Sequence, residues 1–373
     1  MHKIQIYPSW SEGIFHDRPN RFTLILKYKK NLIKTYIQNT GRMEEFLTKG
    51  HPFYFVPHKT EKYNFKTIAT KYQNSFVYLE TSKINTLFEI LLTNKKFSLL
   101  PKEYKREYSI KHSRFDFAFF KNKSLTTLIE LKSCTLCHNG MALFPDAPTK
   151  RGQKHIRDLE NLPKTNNTVI FLITNSSAKK FFPNFHTDSE YSHLFLQANH
   201  TKFLAYSLKF TNPVTFDLDS LKKIPIDKNI VKNNLQNKGS YLLLFQNPIK
   251  QSLTIGRLGN IIFKPGFYVY AGSALNSLST RLSRHKKIRK KLNWHVDFLR
   301  PHFNLIKTFP IQRKDKIESA LAKKLQKFCD KSVNNFGATD TNENSHLFFF
   351  KKNPLLNENF NTLILDYRTF TEG

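Results

Sequence analysis

Apolar and polar positions alternate most sharply between residues 113 and 133. Ser-Arg-Phe-Asp-Phe-Ala-Phe-Phe leads into a polar turn at 121–124, then Leu-Thr-Thr-Leu-Ile-Glu-Leu-Lys-Ser. A period of two over each half predicts two half-buried strands joined as a hairpin. In the first, Phe115, Phe117 and Phe119 share a face, with Arg114, Asp116 and Ala118 on the other. In the second, Ile129 and Leu131 share a face, and Leu128, Glu130 and Lys132 take the opposite one. Pairing the apolar faces gathers Asp116, Glu130 and Lys132 on the other side of the sheet. Two carboxylates and an ammonium on rigid strands can hold a divalent cation and orient a water, the equipment of metal-assisted phosphodiester hydrolysis. Charged strand residues are also commonly just solvated, and Glu-x-Lys recurs at Glu103-Tyr104-Lys105.

Residues 1–82 show short strand-like runs at 3–7, 21–28, 32–38, 52–57, 67–71 and 75–79, which predict a small barrel. Two polar stretches interrupt it, Asp17-Arg18-Pro19-Asn20-Arg21-Phe22 and Asn39-Thr40-Gly41-Arg42-Met43. Each sets Arg beside a turn former and an apolar residue. That suits a surface contacting phosphates and bases, and equally plain turn chemistry. Residues 81–108 read as helical from Leu87, Ile90, Leu91, Leu99 and Leu100, with Pro101 allowing a second start. Glu107 closes that segment, placed to turn its carboxylate towards Asp116.

Beyond the hairpin, Cys134 reads as a continuing strand residue. Thr149 is set to cap a helix over 150–162 with apolar stripe Ile156, Leu159 and Leu162. Arg151, Gln153, Lys154 and Arg157 lie on its polar side. A buried strand at 169–174, a helix at 191–199 and a final strand at 202–209 complete an α/β layer. The polar stretch 227–238 reads as a linker.

Composition adds a partner. Sixty Lys+Arg against 28 Asp+Glu give a formal charge of +32, which favours a polyanion, most simply DNA, with RNA open. Some of that charge also fits a background rich in Lys, Asn, Phe and Ile. Three cysteines cannot build a disulfide framework and point to a reducing compartment. Cys134-Thr-Leu-Cys137-His138 spells a haem attachment site, but residues 1–15 carry no export signal and no second ligand pair supports zinc. No apolar run approaches the roughly 18 residues that span a bilayer. The expectation is a soluble, cytoplasmic protein with no membrane partner.

Several ordered motifs resemble the sugar fermentation stimulation protein A family over residues 7–226. They are Arg18-Pro-Asn-Arg-Phe22, Asn39-Thr-Gly-Arg-Met43, Ser113-Arg-Phe-Asp-Phe117, Glu130-Leu-Lys-Ser133, Phe144-Pro-Asp-Ala147 and Arg151-Gly-Gln-Lys-His155. The resemblance implies an OB-like β-barrel at 1–82, a PD-(D/E)XK nuclease-like α/β domain at 83–226, DNA binding and a link to sugar metabolism. Carried over, Asp116, Glu130 and Lys132 fill the nuclease motif, with Glu107 as a helix-borne acidic partner. Asp116 and Glu130 would then hold Mg2+ or Mn2+. Arg18, Arg21, Arg42, Arg114, Arg151 and Gln153 are the candidate nucleic-acid contacts here.

Residues 239–352 resemble a second family, a small bacterial and archaeal domain related to the GIY-YIG nucleases. The likeness runs through Gly239-Ser-Tyr-Leu-Leu-Leu, Ile255-Gly-Arg-Leu-Gly259, Pro265-Gly-Phe-Tyr-Val-Tyr-Ala-Gly-Ser-Ala274, Arg281-Leu-Ser-Arg-His285, Asn293-Trp-His-Val-Asp297, Glu318, Phe336-Gly-Ala-Thr-Asp340 and Ser345-His-Leu347. It implies a GIY-YIG-like α/β domain with Tyr241 and Tyr270 on the two motif strands. Arg281 would face a phosphate, and Glu318 would be the metal carboxylate. The first motif reads Gly-Ser-Tyr, its distance to Tyr270 is long, and Thr341 stands where the family has cysteine. Residues 281–291 are dense in base, and on a helix Arg281 and Arg284 would share a phosphate-tracking face. His295 and Asp297 are expected to fix the local fold, and residues 353–373 to form a tail. Two functions follow: a DNA-binding, metal-dependent nuclease, or a DNA-binding regulator of sugar metabolism genes that keeps nuclease folds without turnover.

Overall fold

Five strands near the start of the chain close on themselves in the computed structural model, which describes residues 2–110, 112–338 and 343–372. Ser11–Asn20, Thr23–Tyr28 and Asn31–Ile37 form an antiparallel meander. Phe65–Tyr72 pairs parallel to the third strand and antiparallel to Pro52–Pro57, which returns to the first. This ring encloses Leu24, Leu26, Ile37, Phe46, Phe53 and Phe55. The expected polar interruption at Asp17-Arg18-Pro19-Asn20 is the end of a strand. Two irregularities in its pairing with Thr23–Tyr28 destroy the period of two there.

The division at residue 82 is not clean. Ser75–Tyr78 pairs with Phe210–Asn212, which pairs with Thr215–Asp217, which pairs with Lys3–Gln5. Thr201–Ser207 is therefore not the final strand. Tyr78 stacks on Phe210 with ring centroids 4.8 Å apart, and one core runs from Tyr54 and Ile68 through Phe88 and Phe117 to Ile170 and Phe216. Barrel and α/β layer are thus parts of one compact unit, Met1–Val231.

The layer is a six-stranded sheet in the order Glu103–Ile110, Ser113–Lys121, Ser124–Cys134, Asn166–Ile173, Thr201–Ser207, Lys222–Ile224. The first three strands are antiparallel, and the middle pairings are parallel. Asn122 and Lys123, both with positive φ, make the two-residue hairpin turn. Helix Ile84–Thr93 covers one face through Leu87, Phe88 and Leu91. Helices Lys150–Glu160 and Ser189–Gln197 cover the other through Ile156, Leu159, Tyr191 and Phe195. The helical reading of 81–108 fails after Thr93. Glu103–Ile110 is an edge strand whose inward residues, Tyr104, Tyr108 and Ile110, are only half-buried and divide between two cores, which leaves a weak stripe from which to read it.

The second unit, Lys232–Gly373, is built on a five-stranded sheet ordered Asn304–Gln312, Gly239–Asn247, Gly266–Ala274, Leu347–Phe350, Lys331–Ser332. Residues 353–373 are not a tail. Helix Glu358–Thr369 buries Phe360, Leu363, Ile364 and Tyr367 against Phe309, Ile311, Leu321 and Leu325. Those four recur at i, i+3, i+4 and i+7, the spacing of one helix face. Nor is 227–238 wholly irregular, because Lys228–Asn234 is helical with Val231 buried. Among the described residues no helix is long and apolar enough to cross a membrane.

Candidate active sites

Asp116 lies where the hairpin opens. The ladder runs from Lys121↔Ser124 to Phe117↔Ile129 and stops there. The Asp116 carboxylate fills the gap, its Oδ2 accepting the Leu131 N–H at 2.7 Å. Oδ1 accepts from Asn85 Nδ2 at 2.9 Å, and the same Nδ2 donates to Glu107 Oε1 at 2.9 Å. One residue of the Ile84–Thr93 helix therefore clamps two carboxylates. The opening also breaks the alternation. Phe115 leaves the Phe117 and Phe119 face and packs in the opposite core, its ring 6.2 Å from that of His155.

Glu107 is not helix-borne. It sits on the edge strand, opposite Asp116 in the register that pairs Arg106 with Phe117 and Tyr108 with Phe115. Its φ of 52° is left-handed, a conformation that costs a side-chain-bearing residue about 1–2 kcal/mol. Asn85 and Arg114, whose Nε lies 2.9 Å from Oε2, hold it there.

Glu130 is 3% exposed. Its Oε1 accepts from Lys132 Nζ and is bonded to His155 Nδ1. Its Oε2 is buried without a hydrogen-bond partner. Burial pushes Asp116 up to about 6, and the Glu130 charge adds to the push. Burial alone would raise Glu130 too, but Lys132 and His155 hold it below the ordinary carboxylate value. Adjacent carboxylates are thus drawn apart in acidity, a pattern of acid–base and metal sites. Among the described residues no three or more His, Cys, Asp and Glu form a ready-made cage. A bare buried Glu130 Oε2 beside Asp116 fits Mg2+ or Mn2+, because a cation that keeps most of its waters needs only one or two carboxylates.

Sequence reasoning missed Asn85 and His155. Asn85 shows only as a polar residue at the start of an apolar helix. His155 was visible in Arg151-Gly-Gln-Lys-His155, where it stands one helical turn from Arg151.

The candidate nucleic-acid residues divide. Arg18 is a structural clamp, donating to the carbonyls of Gly41 at 2.8 Å, Arg42 at 2.9 Å, Arg21 at 3.1 Å and Asn39 at 3.2 Å. It pins the Asn39–Met43 loop through both terminal nitrogens. Gln153 is buried, and its amide donates to both carboxylate oxygens of Asp188, the cap of helix Ser189–Gln197. Both are committed to contacts within the fold, Gln153 buried and Arg18 half-buried. Arg21 is exposed with its guanidinium 4.8 Å from the exposed Phe22 ring. Arg114 and Arg151 are exposed, and Arg42 is half-buried. Cys134 is a buried strand residue, as expected, its thiol bonded to the Leu143 carbonyl.

In the second unit a cavity of about 610 Å³ brings together Tyr241, Tyr270, Arg281 and Glu318. Gly272 makes room, since a Cβ there would lie 2.6 Å from the Tyr241 ring. Tyr241 Oη is 2.8 Å from His285 Nε2. Glu318 Oε2 accepts from Ser273 Oγ at 2.5 Å. Arg281 lies over Trp294 at 3.9 Å. Arg284 does not share its role: it donates to both oxygens of the buried Asp297, at 2.9 and 2.8 Å. Its helix, Leu278–Lys286, ends before the basic run does, and Lys290 also turns to Asp297. Asp297 and His295 hold local structure, the latter accepting the Gly337 N–H at 3.1 Å. The motif residues Thr339 and Asp340, with Thr341, lie outside the described residues.

Known families map onto this architecture. Residues 17–79 match the SfsA N-terminal OB domain, 82–213 the sugar fermentation stimulation protein RE domain, and 240–369 the domain of unknown function DUF123. A sugar fermentation stimulation protein homolog from Aquifex aeolicus is 37% identical over 186 residues, 49% of this chain and 83% of the relative. One from Methanosphaera stadtmanae is 32% identical over 221 residues, 57% of this chain and 91% of the relative. The solved structure of Pyrococcus furiosus SfsA in complex with Ca2+ shares the fold. Its TM-score is 0.54 at 22% identity, covering 61% of this chain and 100% of that one. With its barrel, its nuclease-like sheet and relatives aligned over most of their own length, the chain belongs to the sugar fermentation stimulation protein family, extended by a DUF123 domain.

Proposed function

We propose that the chain binds DNA and hydrolyses phosphodiester bonds at the Asp116–Glu130–Lys132 site. The observation that carries this reading is the unpartnered, buried Glu130 Oε2 beside Asp116, with an ammonium on the same strand. Asp116 and Glu130 would hold Mg2+ or Mn2+. When bound, such an ion supplies Lewis-acid polarisation and a more acidic water. Asn85 and the Leu131 N–H fix the Asp116 carboxylate in one orientation. Lys132 stabilises negative charge on the attacked phosphate. Glu107 acts at one remove, through Asn85, rather than as a ligand. The Ca2+ named with the Pyrococcus relative supports an oxygen-ligand cation site in the family.

The +32 charge supports a polyanionic partner, and exposed Arg21 beside Phe22, with Arg114 and Arg151, supplies contacts on the first unit. The Tyr241–Tyr270–Arg281–Glu318 cavity would be a second backbone-binding site. The test incubates full-length protein with supercoiled plasmid, single-stranded DNA and RNA, each with Mg2+, Mn2+ or EDTA. Metal-dependent cleavage of DNA is the expected result. Cleavage of RNA alone would change the substrate. DNA binding without cleavage under any metal would leave the non-catalytic regulator.

A further inference from the structure

His155 is 5% exposed on the inner face of helix Lys150–Glu160, and its two ring nitrogens face different partners. Nε2 lies 3.4 Å from Arg151 Nε, whose N–H can only donate. Nε2 is therefore the acceptor, and the neutral ring carries its proton on Nδ1. That N–H donates to Glu130 Oε1. Lys132 Nζ donates to the same oxygen and lies 3.5 Å from His155 Nδ1. Two donors from two elements thus converge on one oxygen of a buried carboxylate, and the other oxygen is left bare. Lys132 alone would leave the carboxylate free to rotate about its last bond, because the ammonium is a flexible point donor. A planar imidazole seated against Phe115 fixes that rotation.

We infer that His155 is a positioning residue that locks Glu130 so that Oε2 points to the cation position, with Arg151 setting the tautomer. This rests on the metal reading above. Removing an outer partner of this kind costs roughly 10–100-fold in metal affinity.

The test is calorimetric titration of full-length protein with MnCl2, without nucleic acid, counting only the binding that Asp116→Asn abolishes. His155→Ala should weaken that binding about tenfold or more. His155→Asn should restore most of it, since the Asn amide can donate from near the imidazole Nδ1 position. His155→Ala binding like wild type, or His155→Asn binding no better than His155→Ala, overturns the inference and spares the metal reading. Wild type without Mn2+ binding at this site overturns both. Should His155→Ala unfold, Arg151→Leu decides: weakened binding supports the relay, and unchanged binding overturns it.

Discussion

Glu45 carries an acid–base signature unrelated to the proposed chemistry. It is buried near Asp146, and Glu45 Oε1 and Asp146 Oδ2 both lack hydrogen-bond partners. Burial first, then the Asp146 charge, push Glu45 up to about 8. Glu44 adds to that push, and Arg18 opposes it. The Asp146 carboxylate sits in the notch of Gly41, where a Cβ would lie 1.8 Å from Oδ2. A folded pKa above the unfolded one means the neutral form belongs to the fold. Its stabilisation is full below the ordinary 4.5 and is lost as pH rises through about 8. Glu45→Gln stays neutral, so thermal unfolding of this variant should flatten across that window. Its Tm near pH 8 should rise by about 2–4 °C for each kcal/mol gained. A pH slope as steep as the wild type's would contradict the assignment. At this scale strand alternation in the sequence sets Glu130 and Lys132 on one side, and it ends at Asp116, where the hairpin opens. Asn85 and His155 are not legible there, because each reaches its partner across elements distant in the chain.

Elements fail to announce themselves when their apolar face is weak or short. Glu103–Ile110 is such a case, as are the three-residue strands Phe210–Asn212 and Thr215–Asp217, which fold back onto the first sheet. Helix Glu358–Thr369 is the reverse, with full periodicity beyond the bounds 239–352 assigned to its domain. Its four buried apolar residues contribute roughly 1.5–3 kcal/mol each. Together they match the whole stability of an ordinary domain, about 5–15 kcal/mol. A 239–352 fragment should therefore be molten, whereas 232–373 should unfold cooperatively. Thermal unfolding followed by near-ultraviolet circular dichroism checks this, and a cooperative transition in the shorter fragment would contradict it. On helix Leu278–Lys286, Arg284→Glu should destabilise the second unit by about 3–5 kcal/mol by setting a carboxylate against the buried Asp297 in place of its bidentate partner. Arg281→Glu should instead leave its Tm nearly unchanged and weaken nucleic-acid binding. Equal thermal effects would remove the distinction between the two arginines.

The whole molecule combines a family-typical first unit with a second unit that has its own sheet, core and cavity. Its +32 charge predicts nucleic-acid affinity that falls steeply with salt as counterion release loses its drive. Affinity that stays flat from low to moderate salt would mean the charge is compositional background. Two candidate sites on one chain, one around Glu130 and one in the Tyr241–Glu318 cavity, make the location of any cleavage the central question. The direct measurement is plasmid nicking with Mn2+ by wild type, Asp116→Asn and Glu318→Gln, all confirmed to bind DNA. Nicking by wild type and by Glu318→Gln, with a loss of at least about a hundredfold in Asp116→Asn, is the predicted result. Nicking by Asp116→Asn at the wild-type rate would contradict the account.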